Sequence, residues 1–247
     1  MKVEHHHFGN ISSTSDFAKE LNEDGELTIV TADFQTNGRG RNGRTWLGDF
    51  GQNLYFSLAF KHSYFSPLSN PVNYQSASCL AVLNLLRSSA PDHKFCLKYP
   101  NDIYARIEDN NEYDNYKKIS GVLVEHNYIG IKPDSTVIGI GINVNQKDFD
   151  KDISESTTSL SLLGYNFDIN NISLTLEKLL LKNFNINEQE IFKSWKSELN
   201  IIGKKARIND NQEGEVIELN ADGSLSVLVN NKTVRIDNGD KIRYALG

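Results

Sequence analysis

Hydrophobic and polar positions change period several times along this 247-residue chain, and each change marks an element. Residues 53–60 alternate cleanly: Leu54, Phe56, Leu58 and Phe60 fall on one face, Asn53, Tyr55, Ser57 and Ala59 on the other. A period of two is that of a half-buried strand. Residues 72–90 carry Ala77, Leu80, Ala81, Val82, Leu83, Leu85 and Leu86, so at ~3.6 residues per turn the stretch is apolar on nearly every side. It predicts a central helix covered on most sides and ended by Pro91. Further strands are predicted over 3–8, 26–33, 95–99, 103–107, 118–126 and 136–145, the last with Ile138, Ile140, Ile142 and Val144 on one face. Ser12, Ser13, Thr14 and Ser15 precede a short helix at 17–21, where their hydroxyls accept from free backbone N–H groups. Residues 173–184 and 188–199 have amphipathic helical spacing, and 108–116, rich in Asn and Asp, reads as a polar hairpin tip.

The pattern shortens after residue 199. Strands are predicted at 205–208, 214–219, 225–229, 232–236 and 241–244, with Asp222-Gly223 and Asn230-Asn231 as turn dipeptides. Closely spaced short strands of this kind predict a small β-barrel. The expected fold class is α+β: a mixed sheet with helices on one side over residues 1–199, followed by a barrel over 200–247. No internal repeat is present.

Composition narrows the classes. At 27.8 kDa and 38% hydrophobic residues, the chain can bury a continuous core without disulfides or a structural metal. A net charge of −6 argues against a nucleic-acid binder held by counterion release. The barrel segment balances Lys/Arg at 204, 205, 207, 232, 235, 241 and 243 against Asp/Glu at 210, 213, 215, 218, 222, 237 and 240, so it offers no electrostatic footprint either. The densest apolar run, 79–86, is broken by Asn84 and is too short to cross a bilayer, so no membrane partner is expected. Cys79 and Cys96 lack CxxC spacing and read as free buried thiols in a reducing cytoplasm. His5, His6 and His7 read as part of an opening strand rather than as a metal tract.

Chemistry concentrates in four segments. Gln35 is followed by Gly38, Arg39, Gly40, Arg41, Gly43, Arg44 and Trp46. The glycines let backbone N–H groups approach a ligand, and the guanidinium forks suit phosphate or carboxylate. Trp46 adds a flat face for a purine, so the loop fits an anion carrying an aromatic base. It is not a Walker A loop, for no Gly-Lys-Ser/Thr follows. Lys98-Tyr99-Pro100-Asn101-Asp102 exposes an amide and a carboxylate at a strand end, suited to Mg²⁺ or to a base, although alone the trio Pro-Asn-Asp is a turn. Lys118, three residues before Gly121, puts an ammonium beside a close backbone approach. Gly139, Gly141 and Asn143 alternate with isoleucines in a strand able to pack tightly on a ligand.

In this order the segments resemble the bacterial biotin–protein ligases. The Gly-Arg loop with Trp46 and the run from Gly51 to Ser57 is similar to that family's signature, and Lys98 to Ile103 to its Lys-Trp-Pro-Asn-Asp block. Lys118 with Gly121 resembles its Lys-x-x-Gly strand, Gly139 to Asn145 its Gly-x-Gly-x-Asn-x-Asn segment, and Ser13-Thr14-Ser15 its Ser-Thr-Asn segment. The resemblance implies a class II synthetase-like biotin/lipoate ligase fold with an SH3-like C-terminal barrel. It also implies ATP and Mg²⁺ as cofactors, and biotin and a biotin carboxyl carrier protein as partners. Biotin would be activated as biotinyl-5′-AMP and passed to a carrier lysine. Carried over by position, Ser13, Thr14, Ser15, Gln35, Gly38, Arg39, Gly40, Arg41, Lys118 and Gly121 would meet biotin or its acyl phosphate, with Arg41 and Lys118 catalytic. Arg44, Trp46, Asn101, Asp102 and Asn143 would meet the nucleotide, with Asp102 toward Mg²⁺.

The chain departs from the family pattern in places. Tyr99 replaces Trp, Ser15 replaces Asn, and Leu47-Gly48-Asp49 stands where Ser-Pro is common. About ten residues precede the Ser-Thr segment, too few for the DNA-binding helix-turn-helix of some relatives, so no DNA partner is expected. Many relatives dimerise by joining sheet edges, which would make 136–145 one possible edge. The rival readings are a lipoate–protein ligase, sharing fold and chemistry, and more distantly a biotin sensor or an RNA-binding Arg/Gly tract.

Overall fold

The computed structural model describes residues 2–107, 115–209 and 212–246, so most of the 108–116 segment expected as a hairpin tip lies outside the described residues. In chain order the first part comprises β1 (Lys2–Ile11), α1 (Thr14–Leu21), β2 (Glu26–Gln35), β3 (Asn53–Lys61), α2 (Pro71–Ser89), β4 (Phe95–Lys98) and β5 (Asp102–Arg106). It continues with β6 (Tyr116–Ile129), β7 (Lys132–Asn143), α3 (Lys151–Ser154), α4 (Ile169–Phe184) and α5 (Glu188–Leu199). The C-terminal part holds β8 (Lys205–Ile208), β9 (Gln212–Leu219), β10 (Leu225–Val229), β11 (Lys232–Ile236) and β12 (Ile242–Arg243).

A seven-stranded sheet in the order β1-β2-β3-β7-β6-β5-β4 is parallel only at β1–β2 and antiparallel elsewhere. Residues 136–145, offered by the resemblance as one possible edge, lie instead in and just beyond β7, hydrogen-bonded between β3 and β6. Sheet order is set by which strands pair, and β7 has a hydrogen-bonded neighbour on each side, so it offers no unpaired backbone edge. The outer strands are β1 and β4.

The helices occupy both faces, not one. Leu27 and Ile29 of β2 face the core formed with α2, α4 and α5, whereas Val30 and Ala32, one position out of phase, face Ala18 of α1. Hence β3 is buried on both faces from Asn53 to Phe60 rather than half-buried, and its alternation separates large apolar side chains from small or polar ones. α2 is buried nearly all round, as its sequence requires, with Asn70 as N-cap. Ser13 caps α1 by accepting from Asp16 N–H.

The C-terminal strands form a separate antiparallel sheet, β11-β10-β9-β8-β12, compatible with the expected SH3-like barrel. The β10–β11 connection has Asn230 at φ 48° and Asn231 at φ 60°, the two positive values a two-residue hairpin loop needs. Both cysteines are free. Cys79 is buried and Cys96 partly so, and burial pushes their thiols up to about 12 and about 11. Among the described residues no helix is long and apolar enough to cross a membrane.

Candidate active site

The Gly-Arg segment is a folded loop. Trp46 N–H donates to the Gly38 carbonyl at 2.8 Å, Gly40 N–H to the Arg44 carbonyl at 2.7 Å, and Arg39 bridges Thr45. Asn42 and Gly43 turn it back through positive φ. Gly38 is required by contact: a Cβ there would lie 2.9 Å from Gln35 Nε2 and closer still to the Trp46 carbonyl oxygen.

This loop lies across a cavity of about 430 Å³ above β6 and β7. Of the residues expected at the site, Thr14, Ser15, Gln35, Arg39, Gly40, Arg41, Arg44, Trp46, Asn101, Asp102, Lys118, Gly121 and Asn143 line it. Ser13 and Gly38 do not, one capping α1 and the other folding the loop. Gly121 and Gly141 form a floor against the indole, since a Cβ at Gly141 would lie 2.7 Å from Trp46 Cζ2. The buried Trp46 Nε1 has no hydrogen-bond partner among the described residues.

The three arginines, equivalent in sequence, are sorted by their partners. Arg39 donates to both Glu125 oxygens at 2.9 and 2.8 Å and meets Asp16 at 2.7 Å, so it pins the loop to β6 and α1. Arg44 pairs with Asp240 at 2.6 Å, and Asn42 bonds the same carboxylate, which ties the loop to the C-terminal sheet. Arg41 has no carboxylate partner among the described residues, and its guanidinium donates to Asn101 Oδ1 at 3.3 Å. Lys118 meets Asp102 at 2.8 Å and stands 5.4 Å over the Trp46 ring.

A polar pocket closes the end under α1. Thr14 donates through its backbone N–H and its hydroxyl to Gln35 Oε1 at 2.7 and 3.0 Å, and Ser57 Oγ donates to Thr14 Oγ1 at 2.8 Å. Ser15 Oγ lies 3.1 Å from Ser57 Oγ and above Gly139. The amides of Asn101 and Asn143 donate to the Val122 and Thr158 carbonyls, which fixes both side chains.

Sequence reasoning placed Lys98 in a chemical segment without giving it a role and left out Tyr104, Asp240 and Arg243, yet all four line the cavity. Lys98 and Tyr104 flank the Pro-Asn-Asp turn, and that adjacency was the available signal. Asp240, in the turn before β12, and Arg243 of β12 arrive from the C-terminal part and carried no local signal. Burial raises the Tyr104 phenol to about 12. Among the described residues, the cations Arg39, Arg41, Arg44, Lys98, Lys118 and Arg243 line the cavity with two carboxylates, Asp102 and Asp240, in a chain of net charge −6. Such focusing favours an anionic ligand.

Fold and cavity together point to one class: the chain belongs to the biotin/lipoate A/B protein ligase family, whose profile matches residues 8–143. It is 36% identical over 155 residues to the bifunctional ligase/repressor BirA of Bacillus spizizenii, covering 61% of this chain and 44% of that protein. To BirA of Escherichia coli K12 it is 30% identical over 186 residues, covering 73% of this chain and 53% of that one. The chain therefore spans about half the length of these curated relatives. Its structure is similar to that of the biotin protein ligase from Aquifex aeolicus in complex with biotin and ATP (TM-score 0.75, 27% identity, 98% of this chain and 99% of that one).

Proposed function

We propose that this chain joins biotin to a lysine of a biotin carboxyl carrier protein through biotinyl-5′-AMP, with residues 1–199 as the catalytic unit and 200–247 as the barrel. The observation that carries this reading is a pair of cations, Arg41 and Lys118, facing one cavity from the loop and from β6. In the first step a biotin carboxylate oxygen attacks the α-phosphorus of ATP, and the bond from that phosphorus to the bridging oxygen breaks. Pyrophosphate leaves with the electron pair. Negative charge grows on the phosphoryl oxygens, where a guanidinium and an ammonium are already placed. In the second step the carrier's neutral lysine amine attacks the acyl carbon, the acyl–oxygen bond breaks, AMP leaves with the electron pair and the amine nitrogen gives up one proton to solvent, giving an amide.

Thr14, Ser15 and Gln35 supply the polar end of the biotin subsite, and the Trp46 ring a stacking face for adenine. The fixed Asn101 and Asn143 complete the nucleotide side. The folded loop covers the intermediate, which in water would hydrolyse. Mg²⁺ fits less well as a resident ion. Both cavity carboxylates are already engaged, Asp102 by Lys118 and Asp240 by Arg44. Among the described residues no group of three His, Cys, Asp or Glu side chains is placed to hold a metal.

Biotin-dependent exchange of labelled pyrophosphate into ATP tests the reading. Exchange with biotin and none with lipoate supports it, and the reverse makes the chain a lipoate ligase. Salt-sensitive RNA binding without exchange would make it a binding module, a reading disfavoured by two loop arginines being held by carboxylates.

A further inference from the structure

Lys98 lies in the same cavity with a different set of neighbours. Its Nζ stands 5.0 Å over the Tyr104 ring, and among the described residues it makes no ion pair and no hydrogen bond. The other lysine of the cavity, Lys118, has Asp102 at 2.8 Å. Strand register explains the placement: Lys98 of β4 sits opposite Asp102 of β5, and Tyr104 of β5 sits opposite Lys118 of β6. The two ammonium groups therefore flank β5 beside Asp102 and Tyr104.

Burial first, then the nearby Arg243 and Lys118 charges, lower the Lys98 ammonium, and Asp102 acts in the opposite sense. A partly buried cation beside other cations is unfavourable unless a ligand brings negative charge to it. Arg41 and Lys118 are taken by the α-phosphate in the ligase reading. A nucleotide whose base lies on Trp46 has two further phosphates to place, and Lys98 is the cation of the cavity with neither a carboxylate nor a hydrogen bond.

We propose that Lys98 binds the β- and γ-phosphates of ATP and holds the leaving pyrophosphate. This inference rests on the ligase reading. Its chemistry separates the half-reactions: pyrophosphate is present while the bond from the α-phosphorus to the bridging oxygen breaks, and absent when the acyl–oxygen bond breaks. Lys98 therefore serves activation and is dispensable for transfer.

The test compares wild type with Lys98→Met, Lys98→Gln and Lys98→Arg in two assays. One is conversion of biotinyl-5′-AMP and pyrophosphate back to ATP; the other is transfer from preformed biotinyl-5′-AMP to a carrier domain. A charge-assisted bond predicts that Lys98→Met and Lys98→Gln raise the pyrophosphate KM about 10-fold or more. Lys98→Arg should recover most of the loss, and transfer should stay within about 2-fold of wild type. An unchanged pyrophosphate KM in a folded neutral variant, or an equal loss in both assays, overturns the proposal. Normal exchange by wild type in the same experiment confines that failure to Lys98. A wild type without biotin-dependent exchange overturns the ligase reading and this inference together.

Discussion

Lys118 Nζ lies 2.8 Å from Asp102 Oδ1, so one strand supplies the ammonium and its neighbour the carboxylate that aims it. Neither side chain is fully buried, at 31% and 21% exposure, so the pair contributes more to orientation than to stability. The same ammonium stands 5.4 Å from the centre of the Trp46 ring. Lys118→Met is expected to slow adenylate formation by about 100- to 1,000-fold, the usual effect of removing one donor to a developing anion. Single-turnover formation of biotinyl-5′-AMP measures it, and a loss under about 10-fold would exclude a catalytic role.

Arg41→Gly should release the intermediate. Among the described residues its guanidinium bonds Asn101 alone, so the substitution leaves the carboxylate anchors of the loop intact. Loss of a charge-assisted bond worth ~1.5–3 kcal/mol predicts about 10- to 150-fold weaker retention of biotinyl-5′-AMP. The escaping ester should label lysines on bystander proteins. An unchanged off-rate would contradict the assignment.

Gly141→Ala should move the indole. The added Cβ would fall 2.7 Å from Trp46 Cζ2 and Nε1, and a Cβ at Gly121 would lie 3.0 Å from Cζ3, so the ring must shift off this floor toward the cavity. The expected outcome is a raised ATP KM with a shifted Trp fluorescence spectrum and nearly unchanged thermal stability. An unchanged KM would mean that the nucleotide does not stack on the indole.

Asp240→Ala cuts the tie from the C-terminal sheet to the loop at Arg44 and Asn42. Arg44 is 62% exposed, and exposed ion pairs contribute ~0–1 kcal/mol. Adenylate off-rates should therefore rise by less than about 10-fold, clearly below the effect of Arg41→Gly. Measuring both variants side by side ranks the two contacts.

His62 and His126 share the buried Thr136 hydroxyl, at 2.7 and 2.8 Å. Burial lowers both imidazoles below the ordinary 6.5. Asp134 opposes the shift at His62; at His126 the charge of His62 adds to it and the Pro71 carbonyl opposes it. The folded chain thus favours the neutral rings, and the unfolded chain binds more protons below pH 6.5. Their stabilisation is present above that value and is lost as pH falls through the lowered native values. Tm should drop on acidification from about pH 7 to about pH 5, and His62→Gln should flatten that slope. Parallel curves for variant and wild type would exclude these rings.

Element positions were legible because periodicity is local. The strand at 225–229 and the helix at 188–199 sit where their spacing predicts. The chemical segments were legible for a related reason: glycine where backbone must come close and arginine where an anion must be met are requirements written into short stretches. Three features were not. Placement of residues 136–145 inside the sheet, the two-sided cover of β3 and the crossing of α1 to the other face all depend on which surfaces meet. Arg39, Arg41 and Arg44 are one residue type in one loop, and partners brought close only by folding, Asp16 and Glu125 for Arg39 and Asp240 for Arg44, tie two of them down and leave the third to a ligand. Sequence fixes what each residue can do within reach of its neighbours along the chain. Folding decides which charges are already neutralised, because Coulomb attraction depends on distance in space.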